Sequence, residues 1–233
     1  MSTVNAGWRG PNIVRDGLVM YLDAGSGTSY SSYISATTWK SMTLSNVSSS
    51  LINGPTFSVS GSGSFSFDGV DDYALTNTTF NSSQGTWGIW FNPDTLSLAA
   101  GYGRRLLHQS DGSGNNEINI IHSNGNVSWY GYGASSYSWN ISGSGVTTGS
   151  WFNAVGTYDE SNAYLYLNGN LIASSSRSVS VGNATVNLYI ARVGFVNQGL
   201  YSGKISPVQI YNRTLTSTEV LQNYNATRAR FGR

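Results

Sequence analysis

Between Tyr164 and Ser174 the chain reads YLYLNGNLIAS, a stretch that leaves little freedom of fold. Side chains alternate across an extended strand, so Leu165 and Leu167 share one face while Tyr164 and Tyr166 share the other. Asn168-Gly169 then supplies the positive φ angles of a two-residue hairpin. A second Asn-Gly, at Asn124-Gly125, lies between the runs INIIH and NVSWY. Further alternating runs rich in aromatic and β-branched residues are GLVMYL from Gly17, SFSFD from Ser64, TWGIWF from Thr86 and RLLHQ from Arg105. YSWNI from Tyr137, WFNAVGTY from Trp151, VNLYIA from Val186 and KISPVQIY from Lys204 continue the pattern. About a dozen strands without the helices of a parallel sheet predict an all-β chain of two packed antiparallel sheets. Residues 25–63 are rich in Ser, Gly and Thr and read as a long irregular excursion, pinned to the body by Trp39, Leu51, Ile52 and Phe57.

One helix is expected, after NRTLTSTEV. Thr216 and Glu219 have the spacing of a capping box, in which each side chain accepts from the other's backbone amide. Val220, Leu221, Tyr224 and Phe231 are expected to share its buried face.

Composition excludes several function classes. Twelve basic residues balance eleven acidic ones, so counterion release cannot drive tight binding to nucleic acid. No apolar run approaches the ~18 residues of a membrane-spanning helix, and the opening MSTVNAGWRGPNIVRDG has no apolar signal core. The expectation is a soluble product made in the cytoplasm. Its Ser, Thr, Gly, Asn and Tyr-rich character, with lysine only at Lys40 and Lys204, is more usual of surfaces facing the outside of cells. A particle protein such as a virion component reconciles the two.

Laid in order, GLVMYLDAG, FSFDGVDDYA, GTWGIWFNP, SWFNAVGTYDESNAYLYLNGNLI and GLYSGKISPVQIYNRTLTSTEVLQNY resemble the laminin G-like branch of the concanavalin A-like jelly rolls. The resemblance runs from about Gly17 to Tyr224 and implies a jelly-roll β-sandwich with a short C-terminal helix. Its domain is expected over residues 17–225, with an N-terminal arm at 1–16 and a basic C-terminal tail at 226–233. Domains of this kind bind carbohydrate or protein, and stand-alone versions occur among virion structural proteins of tailed bacteriophages. The implied role is non-enzymatic: capsid decoration or an external appendage, with the capsid or other virion proteins as partners and a glycan as a further one. Where similar domains carry Asp before the Val of the last strand, this chain has Ser206-Pro207. Proline cannot donate to a ladder, so Pro207 is expected at a bulge or a sheet edge. A soluble lectin is the alternative reading and a polysaccharide hydrolase the third.

Three places carry candidate chemistry. Asp68, Asp71 and Asp72 sit in SFDGVDDYALT, where Asp side chains tighten turns by accepting local amides. Calcium is the second reading there, although it takes six to eight oxygens. The stretch SWYGYGASSYSW gathers Trp129, Tyr130, Tyr132, Tyr137 and Trp139 among glycines, and flat ring faces suit the C–H faces of sugars. The competing reading puts Trp129 and Trp139 in the core, with Tyr130 and Tyr132 outward. Hydrolysis finds no support, because Glu117, Glu160 and Glu219 lie in no E-x-D-x-x-E run and His108 and His122 stand alone on separate strands. Finally, GWRGPNIVR and NATRARFGR flank the domain with arginines and aromatics that suit docking into an acidic groove of a neighbouring subunit. A homo-oligomer is compatible with such arms, but no heptad or sticky edge strand selects one.

Overall fold

The computed structural model describes residues 12–30, 37–43, 46–59, 63–98, 103–110, 112–113, 117–133, 135–181 and 185–233. In chain order its strands are β1 (Leu18–Leu22), β2 (Thr38–Lys40), β3 (Ser48–Ile52), β4 (Thr56–Ser58), β5 (Ser64–Asp68) and β6 (Tyr73–Thr76). Then come β7 (Gly85–Pro93), β8 (Arg104–Gln109), β9 (Glu117–Ser123), β10 (Asn126–Gly133) and β11 (Ser136–Ser144). The rest are β12 (Phe152–Tyr158), β13 (Asn162–Leu167), β14 (Asn170–Ser176), β15 (Tyr189–Ile190) and β16 (Ser202–Tyr211), before helix α1 (Ser217–Thr227). The first sheet runs β14-β13-β12-β7-β16-β5-β4, with β1 also paired to β16, and the second runs β11-β10-β9-β8-β15-β6-β3-β2. Two packed antiparallel sheets with one short helix are the architecture expected of a jelly roll.

Both Asn-Gly hairpins form, with Asn124 and Asn168 at positive φ. The excursion at 25–63 is less irregular than its composition suggested. It holds β2, β3 and β4, which edge the two sheets; strands of three to five residues made largely of Ser and Thr are too short to show an alternating apolar signal. Trp39 and Leu51 are buried as expected, and Trp39 meets Phe65 edge-on at 5.0 Å. Strand β16 pairs with β5 along Ser202–Ile205 and with β1 along Val208–Tyr211. Its ladder to β7 slips between Ile205 and Val208, so Pro207 lies in a bulge where one neighbour hands over to the next.

Between the sheets, Trp129 packs at 5.9 Å from Trp87 and 5.5 Å from Trp139, which stacks on Tyr158 at 5.1 Å. Glycine makes room for these rings. A Cβ on Gly156 would lie 2.2 Å from the Trp129 ring, and one on Gly131 would lie 2.3 Å from that of Trp139.

The chain ends differ from expectation. Thr216 and Glu219 form the capping box, and Arg213 adds a 2.6 Å contact to the Glu219 carboxylate. The buried face of α1 is Val220, Asn223 and Thr227; Leu221 points outward, because a residue one step along is rotated ~100° from the face. Asn223 accepts from the Val14 amide at 2.8 Å and donates to the Tyr211 hydroxyl at 2.9 Å. Residues 226–233 are no free tail. Phe231 stacks on Trp90 at 4.3 Å and packs against Trp151, while Arg230 grips the buried Asp23 carboxylate through two bonds of 2.7 and 2.8 Å. The arginine and aromatic thought available for a neighbouring subunit are spent within the same chain. Ile13 and Val14 are buried too, so the domain begins before residue 17. Residues 1–11, including the Gly7–Arg9 part of the N-terminal arm, lie outside the described residues.

Candidate functional site

The Asn124-Gly125 turn fixes the register of β9 and β10, setting Tyr130 opposite Asn119 and Tyr132 opposite Glu117. Strand β11 continues these rows, with Asn140 beside Tyr130 and Tyr137 beside Tyr132. Alternation along β10, with a register shift against β11 between Gly131 and Tyr132 that leaves Ser138 unpaired, then divides the five aromatic candidates. Trp129 and Trp139 point between the sheets, 0% and 2% exposed, and are core residues that no external ligand reaches. Tyr130, Tyr132 and Tyr137 point away from the core. Tyr137 is half exposed, and its ring meets Tyr132 and Tyr130 edge-on at 5.1 and 5.6 Å. Tyr132 is anchored by a 2.8 Å bond from its hydroxyl to the Ser135 carbonyl. Of the five candidates, Tyr132 and Tyr137 keep open surface, whereas Tyr130 is 8% exposed with its hydroxyl held by Glu117 and Arg105.

Behind them lies a polar network that the sequence did not disclose. Glu117 Oε1 accepts from the Tyr130 hydroxyl at 2.7 Å and the Asn119 amide at 2.8 Å, and lies 3.3 Å from His108 Nε2. Arg105 donates to the Tyr130 hydroxyl at 2.9 Å. His108 Nδ1 accepts from the Gly194 amide, which places the proton of the neutral ring on Nε2, facing Glu117. His108 is therefore not alone: the β8–β9 ladder sets it opposite Asn119, beside Glu117. The link between these strands, residues 110–116, is too long for its Asp111-Gly112 to set their register as a two-residue turn, whereas Asn124-Gly125 sets that of β9 and β10.

This network is poorly suited to acid–base chemistry. A general acid needs a raised carboxyl pKa. Burial pushes Glu117 up, but His108, Tyr130 and Arg105 more than offset it and hold the carboxyl below its usual range. Burial depresses His108 and raises Tyr130, which leaves both neutral.

His122 is a core residue, stacked on Phe91 at 5.8 Å and edge-on to Tyr201 at 5.4 Å. Burial, with a smaller push from Arg104, lowers its pKa to about 4. A buried neutral histidine must gain a proton on acidification, and the unfolded chain takes that proton first. Stability is therefore fully present above pH ~6.5 and falls as the pH drops toward 4. Among the described residues neither ring nitrogen has a hydrogen-bond partner, so His122→Phe loses none. Urea titrations from pH 7 to 4 should show a flatter stability profile for the variant than for the wild type.

Asp68, Asp71 and Asp72 behave as a turn. Asp68 Oδ1 accepts from the amides of Val70, Asp71 and Asp72 at 2.8, 3.3 and 3.5 Å, and Asp72 Oδ2 accepts from the Asp68 amide at 3.1 Å. The Val70 amide leads in holding Asp68 low, while burial raises Asp72. The three carboxylates come within 4.8 Å of one another, but two are occupied with their own backbone, which favours the turn over a calcium cage of six to eight oxygens.

A recess of about 220 Å³ opens between the sheets, floored by Trp87 and Ile210 and walled by Val19, Phe80 and Tyr158. It is smaller than the roughly 300–1,000 Å³ of most ligand cavities. The open tyrosine face is the better match to an extended polymer.

The family model described as the concanavalin A-like lectin/glucanases superfamily matches residues 67–221. No curated protein sequence matches significantly. Among solved structures, domain 4 of a GH43 extracellular arabinanase from Geobacillus stearothermophilus, in complex with arabinotriose, superposes with a TM-score of 0.67 at 15% identity. That match covers 91% of this chain and 100% of the arabinanase domain. The botulinum neurotoxin serotype D binding domain gives 0.69 at 13% identity, covering 90% of this chain and 52% of that one. The serotype D ligand binding domain in complex with N-acetylneuraminic acid gives 0.69 at 12%, covering 90% and 51%. The chain thus spans about half the length of the toxin domains and the whole of the arabinanase domain. Identities this low establish a shared fold.

Proposed function

The chain belongs to the concanavalin A-like lectin/glucanases superfamily, and from that premise we propose that it is a non-catalytic carbohydrate-binding module. Its glycan lies on the outer face of the second sheet, across β9, β10 and β11. The observation that carries this reading is the outward set of Tyr132, Tyr137, Asn140, Ser128 and Ser142 on adjoining strands, which joins flat rings to hydroxyls and an amide. Rings stack on the C–H faces of a sugar while the polar groups meet its hydroxyls. The arabinotriose and N-acetylneuraminic acid complexes of the two structural neighbours support sugar as the ligand class. The lowered carboxyl of Glu117 supports binding over cleavage.

Tyr137→Ala should weaken binding of any glycan found on an immobilised oligosaccharide array by about tenfold, or ~1.4 kcal/mol, the order of one lost ring contact. Binding that survives Tyr137→Ala and Tyr132→Ala together would refute this face as the site.

The setting we infer is the exterior of a tailed-phage particle. The sequence resemblance to laminin G-like domains of virion proteins supports it, as does the neutral, hydroxyl-rich composition. Mass spectrometry of purified particles tests the setting: detection of the chain supports it, and absence leaves a soluble lectin in its place.

A further inference from the structure

Glu117 carries the one ionised side chain on β9, β10 and β11. It adjoins the tyrosine face directly, as the cross-strand partner of Tyr132. Its two oxygens are treated differently. Two donors from two strands, Tyr130 and Asn119, converge on Oε1, with His108 Nε2 3.3 Å away, which fixes the carboxylate in place. Among the described residues none meets Oε2, and the side chain keeps 15% of its surface. The nearby cations do not face a ligand. Arg105 is 7% exposed and turned to the Tyr130 hydroxyl, and Arg192 lies over the Tyr73 ring at 4.4 Å. Arg177, bonded to Ser138, turns its guanidinium to the Ser83 and Asp159 carbonyls, so among the described residues what a ligand on the tyrosine face meets is a fixed acceptor with negative charge.

We propose that this face selects neutral, hydroxyl-bearing sugars and rejects acidic ones, with Glu117 Oε2 as the acceptor that reads a sugar hydroxyl. The inference rests on the proposed function and names the class of glycan that function serves. A carboxylate accepts strongly from a hydroxyl, since charge-assisted bonds are short and firm. The same oxygen repels a uronate or sialate carboxylate, and an acidic sugar offers it no donor in exchange for its water. The two donors on Oε1 and the neighbouring His108 keep Glu117 ionised, as its lowered pKa also indicates. Protonation therefore does not relieve the repulsion near neutral pH.

The test uses the full chain and matched oligosaccharides that differ only in oxidation at C6: gluco- and galacto-oligomers against their uronate counterparts. Wild type is expected to bind the neutral member at least tenfold more tightly. Glu117→Gln keeps an acceptor but removes the charge, and should bring the ratio to within about threefold. A readout that needs no variant is salt: raising sodium chloride from about 0.05 to 0.5 M shortens the screening length several-fold and should narrow the wild-type ratio. Equal or tighter binding of the uronates, still dependent on Tyr137, would overturn this inference and leave the proposed function standing. A ratio unmoved by both Glu117→Gln and salt would also overturn it. Silence toward neutral and acidic sets alike would remove the proposed function and this inference together.

Discussion

Arg230→Ala is expected to destabilise the chain by about 3–5 kcal/mol, read as a fall in the midpoint of urea denaturation. Asp23 is 3% exposed and takes two bonds from Arg230, with further bonds from the Tyr21 hydroxyl at 3.2 Å and the Gly25 amide at 3.0 Å. Removing the guanidinium leaves a buried carboxylate with half its donors and no countercharge. The cost of breaking such a pair is set by that stranded charge rather than by the attraction lost. Asp23→Asn combined with Arg230→Ala should therefore recover part of the loss. If Arg230→Ala costs less than about 1 kcal/mol, the ion pair does not hold the C-terminal segment in place.

Trp129→Ala should cost a similar ~3–5 kcal/mol, because it empties the centre of a ring cluster formed with Trp87, Trp139 and Tyr158. Tyr137→Ala, eight residues on and half exposed, should shift stability by only about 0.5 kcal/mol. The contrast separates two roles within one aromatic stretch. The tryptophan is expected to fail in denaturation, whereas the tyrosine is expected to fail in glycan binding with its unfolding curve little moved. Near-wild-type stability for Trp129→Ala would mean that its ring is not at the centre of the core.

The parts of the architecture legible from sequence are those fixed by local chemistry. Asn-Gly at 124–125 and 168–169 sets two hairpins, and the Thr216–Glu219 spacing sets the helix start. The excursion at 25–63 reads as irregular because β2, β3 and β4 are short and Ser/Thr-rich, so they are fixed by pairing with one another and with β5 and β6 rather than by a pattern of their own. The candidate site was half legible for the same reason. Two-residue turn geometry puts Tyr132 opposite Glu117, but nothing local predicts that His108 and Arg105 join them from β8. The C-terminal residues NATRARFGR read as a tail because a chain terminus is solvated by default. Phe231, expected on the buried helix face, packs against Trp90 and Trp151, and Arg230 meets Asp23 from across the chain, a pairing that no spacing rule reveals.

Helix α1 and the residues after it lie against Trp90, Val155 and Tyr166, the outward side chains of the first sheet, while Tyr132 and Tyr137 project from the opposite side of the sandwich. Coupling a bead, a fluorophore or another polypeptide to Arg233 therefore leaves the tyrosines pointing away from the support. A long polymer can then approach them broadside, with the thickness of both sheets between it and the anchor.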